Sequence, residues 1–115
     1  MKHIIAVIVF LFIATFVLDA QERSMAKAEF KAFGNCGLCK ARIEKALKIK
    51  EVQSATWNKK TGMVSVAYDA SAITLDSLQQ RVAAVGHDTE KYKATDSVYT
   101  ELPGCCQYRL SSSDH

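Results

Sequence analysis

FGNCGLCK, at residues 33–40, carries a Cys-x-x-Cys pair at a point where the local sequence pattern changes. Before the pair, residues 28–33 alternate between apolar and polar side chains, which predicts a strand. After it, residues 40–47 have helical spacing. A helix N-terminus presents unpaired backbone N–H groups and a partial positive charge, and both favour thiolate over thiol. The stretch therefore predicts two metal-binding or nucleophilic thiolates, Cys36 and Cys39, at a strand–helix junction.

The first 20 residues have the pattern of an export signal. A short basic start precedes an apolar run from Ile4 to Leu18, which is shorter than a membrane-spanning helix requires. Cleavage is predicted after Ala20 or after Ala26, and an uncleaved N-terminal anchor is the alternative. We therefore expect an exported protein that meets the membrane only through this segment, during export.

Composition limits the classes of partner. The net charge is +3, and the lysines and arginines are scattered rather than gathered in a basic stripe with aromatic residues. Nucleic acid is therefore not an expected partner. Cleavage after Ala20 leaves 95 of the 115 residues, which is enough for one small core.

The mature chain predicts an α+β ferredoxin-like βαββαβ sandwich, with two helices on one face of a four-stranded antiparallel sheet. Turn residues at 58–62 separate the second and third strands, which should pair as a hairpin. A tail at residues 94–115 follows the domain. The expected elements are strands at 28–33, 52–57, 63–68 and 89–93, a helix at 38–50, and a helix that begins after an N-cap at Thr74 and ends at Gly86.

Residues 28–93 resemble the heavy-metal-associated domain family, which includes small copper chaperones, N-terminal domains of copper-transporting P-type ATPases and the periplasmic mercuric-ion-binding protein. The resemblance depends on the Cys36–Cys39 loop with Ile43 and Glu44 after it. It also depends on the strand VSVAYD at 64–69 and on VGHD at 85–88.

The resemblance implies that Cys36 and Cys39 bind a soft metal ion. Two thiolates suit linear Cu(I) or Hg(II), whereas Zn(II) normally takes four ligands. We therefore expect Cu(I), with Hg(II) or Zn(II) as alternatives. The implied partners are the ion itself and a metal-transporting membrane protein or another metal-binding domain.

Two positions depart from the family pattern. Gly34 stands where the family usually has a methionine that packs behind the site. His87 stands where the family often has Tyr, Phe or Lys near the metal, so His87 is a possible third ligand, a neighbour of the ligands or an ordinary surface residue.

Two further cysteines lie in the tail, beyond the resemblance. Adjacent cysteines do not easily form a disulfide with each other, so Cys105 and Cys106 are candidates for metal binding, for a disulfide with another cysteine, or for no role. If the tail folds over the cysteine loop, four sulfurs meet and can hold Zn(II) or several Cu(I) ions. Tyr99, Leu102 and Tyr108 are candidate anchors for such a tail.

The function expected is that of an exported periplasmic carrier, which captures Cu(I) through Cys36 and Cys39 and transfers it by thiolate exchange. No convincing general base, nucleophilic set or phosphate-binding loop is found, so we do not expect an enzyme. The alternative is a periplasmic thiol–disulfide oxidoreductase in which Cys36 attacks and Cys39 resolves. A third hypothesis is a secreted structural domain whose cysteines form disulfides.

Overall fold

A computed structural model describes residues 25–110 of the chain, and the predicted signal segment lies outside them. These residues form a three-stranded antiparallel sheet of order β1–β3–β2, in which β1 is Met25–Lys31, β2 is Val52–Trp57 and β3 is Met63–Asp69. In the register of β1 and β3, Phe30 lies opposite Val64 and Met25 lies opposite Asp69. Alternation along β3 buries Val64, Val66 and Tyr68 and leaves Ser65 exposed.

Two helices supply the rest of the main core. Helix α1 is Gly37–Ala46 and helix α2 is Leu75–Ala84. Ile43 of α1 and Leu78 and Val82 of α2 are fully buried in one cluster with the core residues of β1 and β3. This packing confirms an α+β domain in which helices cover one side of a sheet. No helix among residues 25–110 is long and apolar enough to cross a membrane.

The ends of α2 follow the sequence prediction. The Thr74 hydroxyl accepts a hydrogen bond from the Ser77 N–H at 3.1 Å, as an N-cap should. At the other end, Gly86 has φ +111°, and the N–H groups of Gly86 and His87 donate to the carbonyls of Ala83 and Val82. This pattern is a Schellman motif, which ends the helix and turns the chain into the 87–89 loop.

The predicted fourth strand at 89–93 is absent from the described residues, where only one antiparallel bridge, Ala32 to Thr89, lies beside β1. The Glu90 carboxylate, rather than a backbone carbonyl, accepts from the Lys31 N–H. Thr89 N–H then donates to the Tyr92 carbonyl at 2.7 Å, which closes a turn. The chain therefore leaves the sheet edge after one bridge, and the four-stranded prediction was wrong.

Helix α1 is also shorter than predicted, because the N–H groups of Leu47 and Lys48 donate to carbonyls three residues back and tighten the last turn. After residue 93 the chain forms a short helix, α3, at Asp96–Thr100 and a 3₁₀ turn at Gly104–Cys106. Tyr99, Leu102, Cys106 and Tyr108 are buried with the main core. The described part of the tail is therefore packed on the domain.

Candidate metal centre

Cys36 and Cys39 together build the N-terminus of α1. Cys36 is the N-cap, and its sulfur accepts from the Cys39 backbone N–H, while the Cys36 N–H points at the Cys39 sulfur 3.5 Å away. A third N–H, that of Asn35, donates to the Cys39 sulfur at 3.3 Å. The two sulfurs lie 3.4 Å apart. This reciprocal cap fixes both sulfurs at the positive end of the helix dipole.

The tail brings two more sulfurs to the same point. The Cys36 sulfur lies 3.0 Å from that of Cys105 and 3.6 Å from that of Cys106, about 70 residues along the chain. The sulfurs of Cys36, Cys39 and Cys106 all lie within 4.8 Å of one another. All four cysteines are free thiols. Cys39 and Cys106 are buried, Cys36 is half-buried and Cys105 is exposed.

The sulfurs differ in their affinity for protons. Burial raises the pKa of Cys36, but hydrogen bonds from Cys105, from the Cys39 backbone and from the other thiols outweigh burial and lower it to about 6. Burial raises the pKa of Cys106. The hydrogen bond that Cys105 gives to Cys36 raises the pKa of Cys105. Cys36 is therefore a thiolate near neutral pH, whereas a cation that binds Cys105 or Cys106 must displace a proton from that sulfur.

Trp57 occupies the space behind the loop. Its indole N–H donates to the carbonyls of Ala32 and Gly62. A Cβ added at Gly34 would lie 2.9 Å from the Cys39 Cβ and 3.2 Å from a ring carbon of Trp57. The indole therefore lies where a larger residue at position 34, such as the methionine expected from the resemblance, would have to pack.

The first turn of α1 is tied to the sheet by an ion pair. The Lys40 ammonium binds the Glu44 carboxylate and the Trp57 carbonyl, and Glu44 accepts from the Trp57 N–H. These contacts hold the end of β2 against the helix that carries the cysteines. Lys40 therefore has a structural role in joining α1 to β2.

His87 is buried, and the structure does not place it in the three-sulfur group. Its Nδ1 lies 2.8 Å from the Phe33 carbonyl, so the neutral ring donates from Nδ1. Its ring stacks on Tyr108 at 5.5 Å. Burial lowers the pKa of His87. The contact with Phe33 joins the loop after α2 to the strand that leads into the cysteine loop.

The tail is held by a network that the sequence prediction missed. The Tyr108 hydroxyl donates to the Gly86 carbonyl at 2.8 Å and accepts from the Asp88 N–H at 2.7 Å. Arg109 binds both carboxylate oxygens of Asp88 and the Ala94 carbonyl. The Arg109 guanidinium also lies 4.3 Å from the centre of the Tyr99 ring. Tyr99 and Tyr108 were named as candidate anchors, but no local pattern pairs Asp88 with Arg109.

An α+β domain with two cysteine sulfurs at the N-terminus of its first helix is the architecture expected of a small soft-metal-binding domain. The sequence profile of the heavy-metal-associated domain matches residues 30–88, and the chain belongs to this family. The resemblance seen in the sequence is thereby confirmed. The matched range ends before the tail, so it contains Cys36 and Cys39 but neither Cys105 nor Cys106.

Two relatives and one structural neighbour are similar to this chain. The copper chaperone CopZ of Staphylococcus aureus is 38% identical over 55 residues, which cover 47% of this chain and 81% of CopZ. The N-terminal domain of a potential copper-translocating P-type ATPase from Bacillus subtilis, solved in its Cu(I)-loaded state, is 34% identical with a TM-score of 0.53, covering 56% of this chain and 84% of that one. Oxidized MerP from Ralstonia metallidurans CH34 shares the fold, with 19% identity and a TM-score of 0.54 over 57% of this chain and 94% of MerP.

Proposed function

We propose that this protein is an exported carrier of a soft metal ion, Cu(I) in the first place, and not an enzyme. The observation that carries the proposal is the pair of sulfurs of Cys36 and Cys39, 3.4 Å apart at a helix N-terminus. Thiolates select soft ions such as Cu(I). The similarity to CopZ and to a Cu(I)-loaded ATPase domain supports copper over Hg(II) and Zn(II).

The proposed mechanism of transfer is ligand exchange. A thiol of the acceptor loses its proton as its sulfur binds the ion, and one protein sulfur leaves and takes up a proton. No oxidation state changes. Cys36 suits the role of the sulfur that meets the acceptor, because it is half-buried while Cys39 is fully buried. The acceptor would be a metal-transporting membrane protein or another metal-binding domain with an accessible cysteine pair.

A competition titration tests the binding step. The reduced protein, starting at Gln21, is titrated with Cu(I) and with Zn(II) against a chromophoric chelator, beside Cys36→Ser and Gly37→Ser. A Cβ at Gly37 meets no atom within 4 Å, so Gly37→Ser is a matched change in the same loop. We expect tight one-to-one Cu(I) binding that Cys36→Ser weakens strongly and Gly37→Ser retains. Absence of Cu(I) binding in the wild type would refute the proposal.

A transfer assay tests the carrier role. The Cu(I)-loaded protein is mixed with a metal-free domain that carries an accessible Cys-x-x-Cys pair, and the rate of transfer is followed as the acceptor concentration rises. Ligand exchange through contact requires a rate that increases with acceptor concentration. A rate that does not depend on the acceptor would show that the ion simply dissociates, and the carrier role would be rejected.

Export to a periplasm is proposed from the first 20 residues of the sequence. Cleavage after Ala20 is favoured over cleavage after Ala26, because Met25 and Ala26 pair with Asp69 and Tyr68 in the β1–β3 ladder. Mass spectrometry of the mature protein from the periplasmic fraction should give a chain that begins at Gln21. Recovery of full-length chain from the cytoplasm alone would contradict export.

One observation favours the second candidate, a thiol–disulfide oxidoreductase. Cys36 has a pKa lowered to about 6 and three other thiols within 3.6 Å, so it has an available thiolate and neighbours that can resolve a mixed disulfide. This candidate requires the reduced protein to react with a model disulfide faster than a free thiol does. Reaction no faster than that of the free thiol would eliminate it.

A further inference from the structure

We propose that Cys106 is a third sulfur ligand for the carried ion, so that the tail and the cysteine loop together form a three-thiolate site. This inference rests on the proposed function and extends it to residues outside the family match. Its basis is geometric, because the sulfurs of Cys36, Cys39 and Cys106 are the group within residues 25–110 whose donor atoms all lie within 4.8 Å of one another.

The spacing of the three sulfurs suits a soft ion. A metal–sulfur bond of about 2.3 Å places three trigonal sulfurs about 4 Å apart. The Cys36 sulfur lies 3.4 Å from that of Cys39 and 3.6 Å from that of Cys106. These two distances therefore need to lengthen by only a few tenths of an ångström for the three sulfurs to hold an ion.

The position of Cys106 is fixed by contacts that do not involve sulfur. The Cys106 N–H donates to the Pro103 carbonyl at 2.8 Å and closes the 3₁₀ turn. On one side of the turn, Leu102 packs so closely on Gly86 that a Cβ there would lie 2.8 Å from the Leu102 side chain. On the other side, Tyr108 and Arg109 bind Gly86 and Asp88. The tail is therefore a positioned part of the site before any ion binds.

A buried cysteine can also be an ordinary small apolar core residue. Cys106 differs from such a residue because its sulfur meets two other sulfurs that the helix N-terminus already presents. Cys105 provides the internal comparison. It is adjacent to Cys106 and close to Cys36, but it is exposed and lies outside the three-sulfur group.

A third sulfur from the tail changes how the ion is released. The tail thiolate occupies the position that an acceptor's sulfur must take in the exchange. The acceptor thiol loses its proton as its sulfur binds, the bond between the ion and Cys106 breaks, and Cys106 takes up a proton. Release to an acceptor therefore requires the tail sulfur to be displaced, so the tail retains the ion until an acceptor competes for it.

X-ray absorption of the Cu(I)-loaded wild-type protein at one equivalent is the direct test, because it counts the sulfurs around the ion without any substitution. We expect three sulfurs in the wild type, two in Cys106→Ser, and three in Cys105→Ser. Loss of a residue that only supports a ligand typically lowers metal affinity about 10- to 100-fold, so loss of the ligand itself should lower the affinity of Cys106→Ser by at least roughly 10-fold, with little change in Cys105→Ser. Circular dichroism of the metal-free variants shows whether each is folded.

The outcomes separate this inference from the proposed function. Two sulfurs in the wild type, with tight Cu(I) binding that depends on Cys36, would overturn the role of Cys106 and leave the carrier intact. Equal losses in the Cys105→Ser and Cys106→Ser variants would overturn the three-sulfur assignment, since Cys105 would then bind as well. A wild-type protein that binds no Cu(I) would refute the proposed function itself.

Discussion

Arg109 and Asp88 form a two-point ion pair, in which the arginine Nη2 lies 2.7 Å from Oδ1 and Nε lies 3.2 Å from Oδ2 of the carboxylate. The side chains are 27% and 13% exposed, so the pair is largely shielded from water. It joins the tail to the loop that follows α2. The position of the tail thus depends on the Asp88 carboxylate, which lies within the residues matched by the family profile.

Asp88→Asn should lower the free energy of unfolding by about 2 kcal/mol, because a neutral amide replaces the largely buried carboxylate that binds the Arg109 guanidinium at two points. Asp96→Asn is the matched control, since Asp96 also binds Arg109 but its side chain is 99% exposed. Urea unfolding measures both variants. An equal and small effect in the two variants would show that the tail is not held by this pair.

The same pair predicts a dependence on pH. Burial raises the pKa of Asp88, but the hydrogen bonds from Arg109 and from the Ala94 N–H outweigh it, and the net pKa is below the ordinary value. A lowered native pKa means that the stabilisation is complete above the unfolded value of about 3.9 and is lost as the pH falls through the native pKa. The difference in unfolding free energy between wild type and Asp88→Asn should therefore be constant near neutral pH and shrink below about pH 4. A difference that stays constant as the pH is lowered below about 4 would contradict the assignment.

Gly86→Ala should destabilise the protein by about 1–3 kcal/mol, because φ is +111° and the added methyl group would meet Leu102 at 2.8 Å. Gly104→Ala is the control within the tail, since its Cβ would meet nothing within 4 Å. Thermal unfolding measures the stability of both variants. Hydrogen exchange at the Cys106 and Gln107 amides measures how well the tail is held in each. Unchanged exchange in Gly86→Ala would mean that Leu102 does not anchor the 3₁₀ turn.

Gly34→Met introduces the residue usual in the family at this position. It should lower the free energy of unfolding by about 1–3 kcal/mol, because the larger side chain overpacks the core. The new side chain would start 2.9 Å from the Cys39 Cβ and 3.2 Å from the Trp57 ring. Gly37→Met, whose Cβ has no neighbour within 4 Å, controls for the change in residue type. A Gly34→Met variant as stable as Gly37→Met would show that the indole moves aside easily.

Local patterns were sufficient for the parts of the fold whose hydrogen bonds are local. The Thr74 cap, the end of α2 at Gly86 and the turn between β2 and β3 all follow from neighbouring residues. The strand predicted at 89–93 was wrong because the Thr89 N–H donates to the Tyr92 carbonyl and the Thr89 hydroxyl accepts from the Tyr92 N–H, so the chain turns. The residue types at 89–93 do not show whether these backbone groups bond within a turn or to a neighbouring strand.

In the candidate site, too, local features could be predicted and contacts between distant residues could not. Cys36 and Cys39 were found because their spacing and the helix after them are local features. The proximity of Cys36 and Cys106 depends on a tail position that Asp88, Tyr108 and Arg109 set, and those contacts join residues about 20 positions apart. The sequence therefore left the role of the tail open. It also left His87 open, because the stacking of His87 on Tyr108 is another contact of the same tail.

Trp57 is the only tryptophan in the chain, and its ring packs behind the loop that carries the cysteines. The position that a Gly34 Cβ would occupy lies within 3.3 Å of the ring and 2.9 Å from the Cys39 Cβ. Tryptophan emission of the unlabelled protein therefore originates beside the loop that carries Cys39. Filling or emptying the site can be followed in real time from this intrinsic fluorescence, in the intact chain and without an added dye.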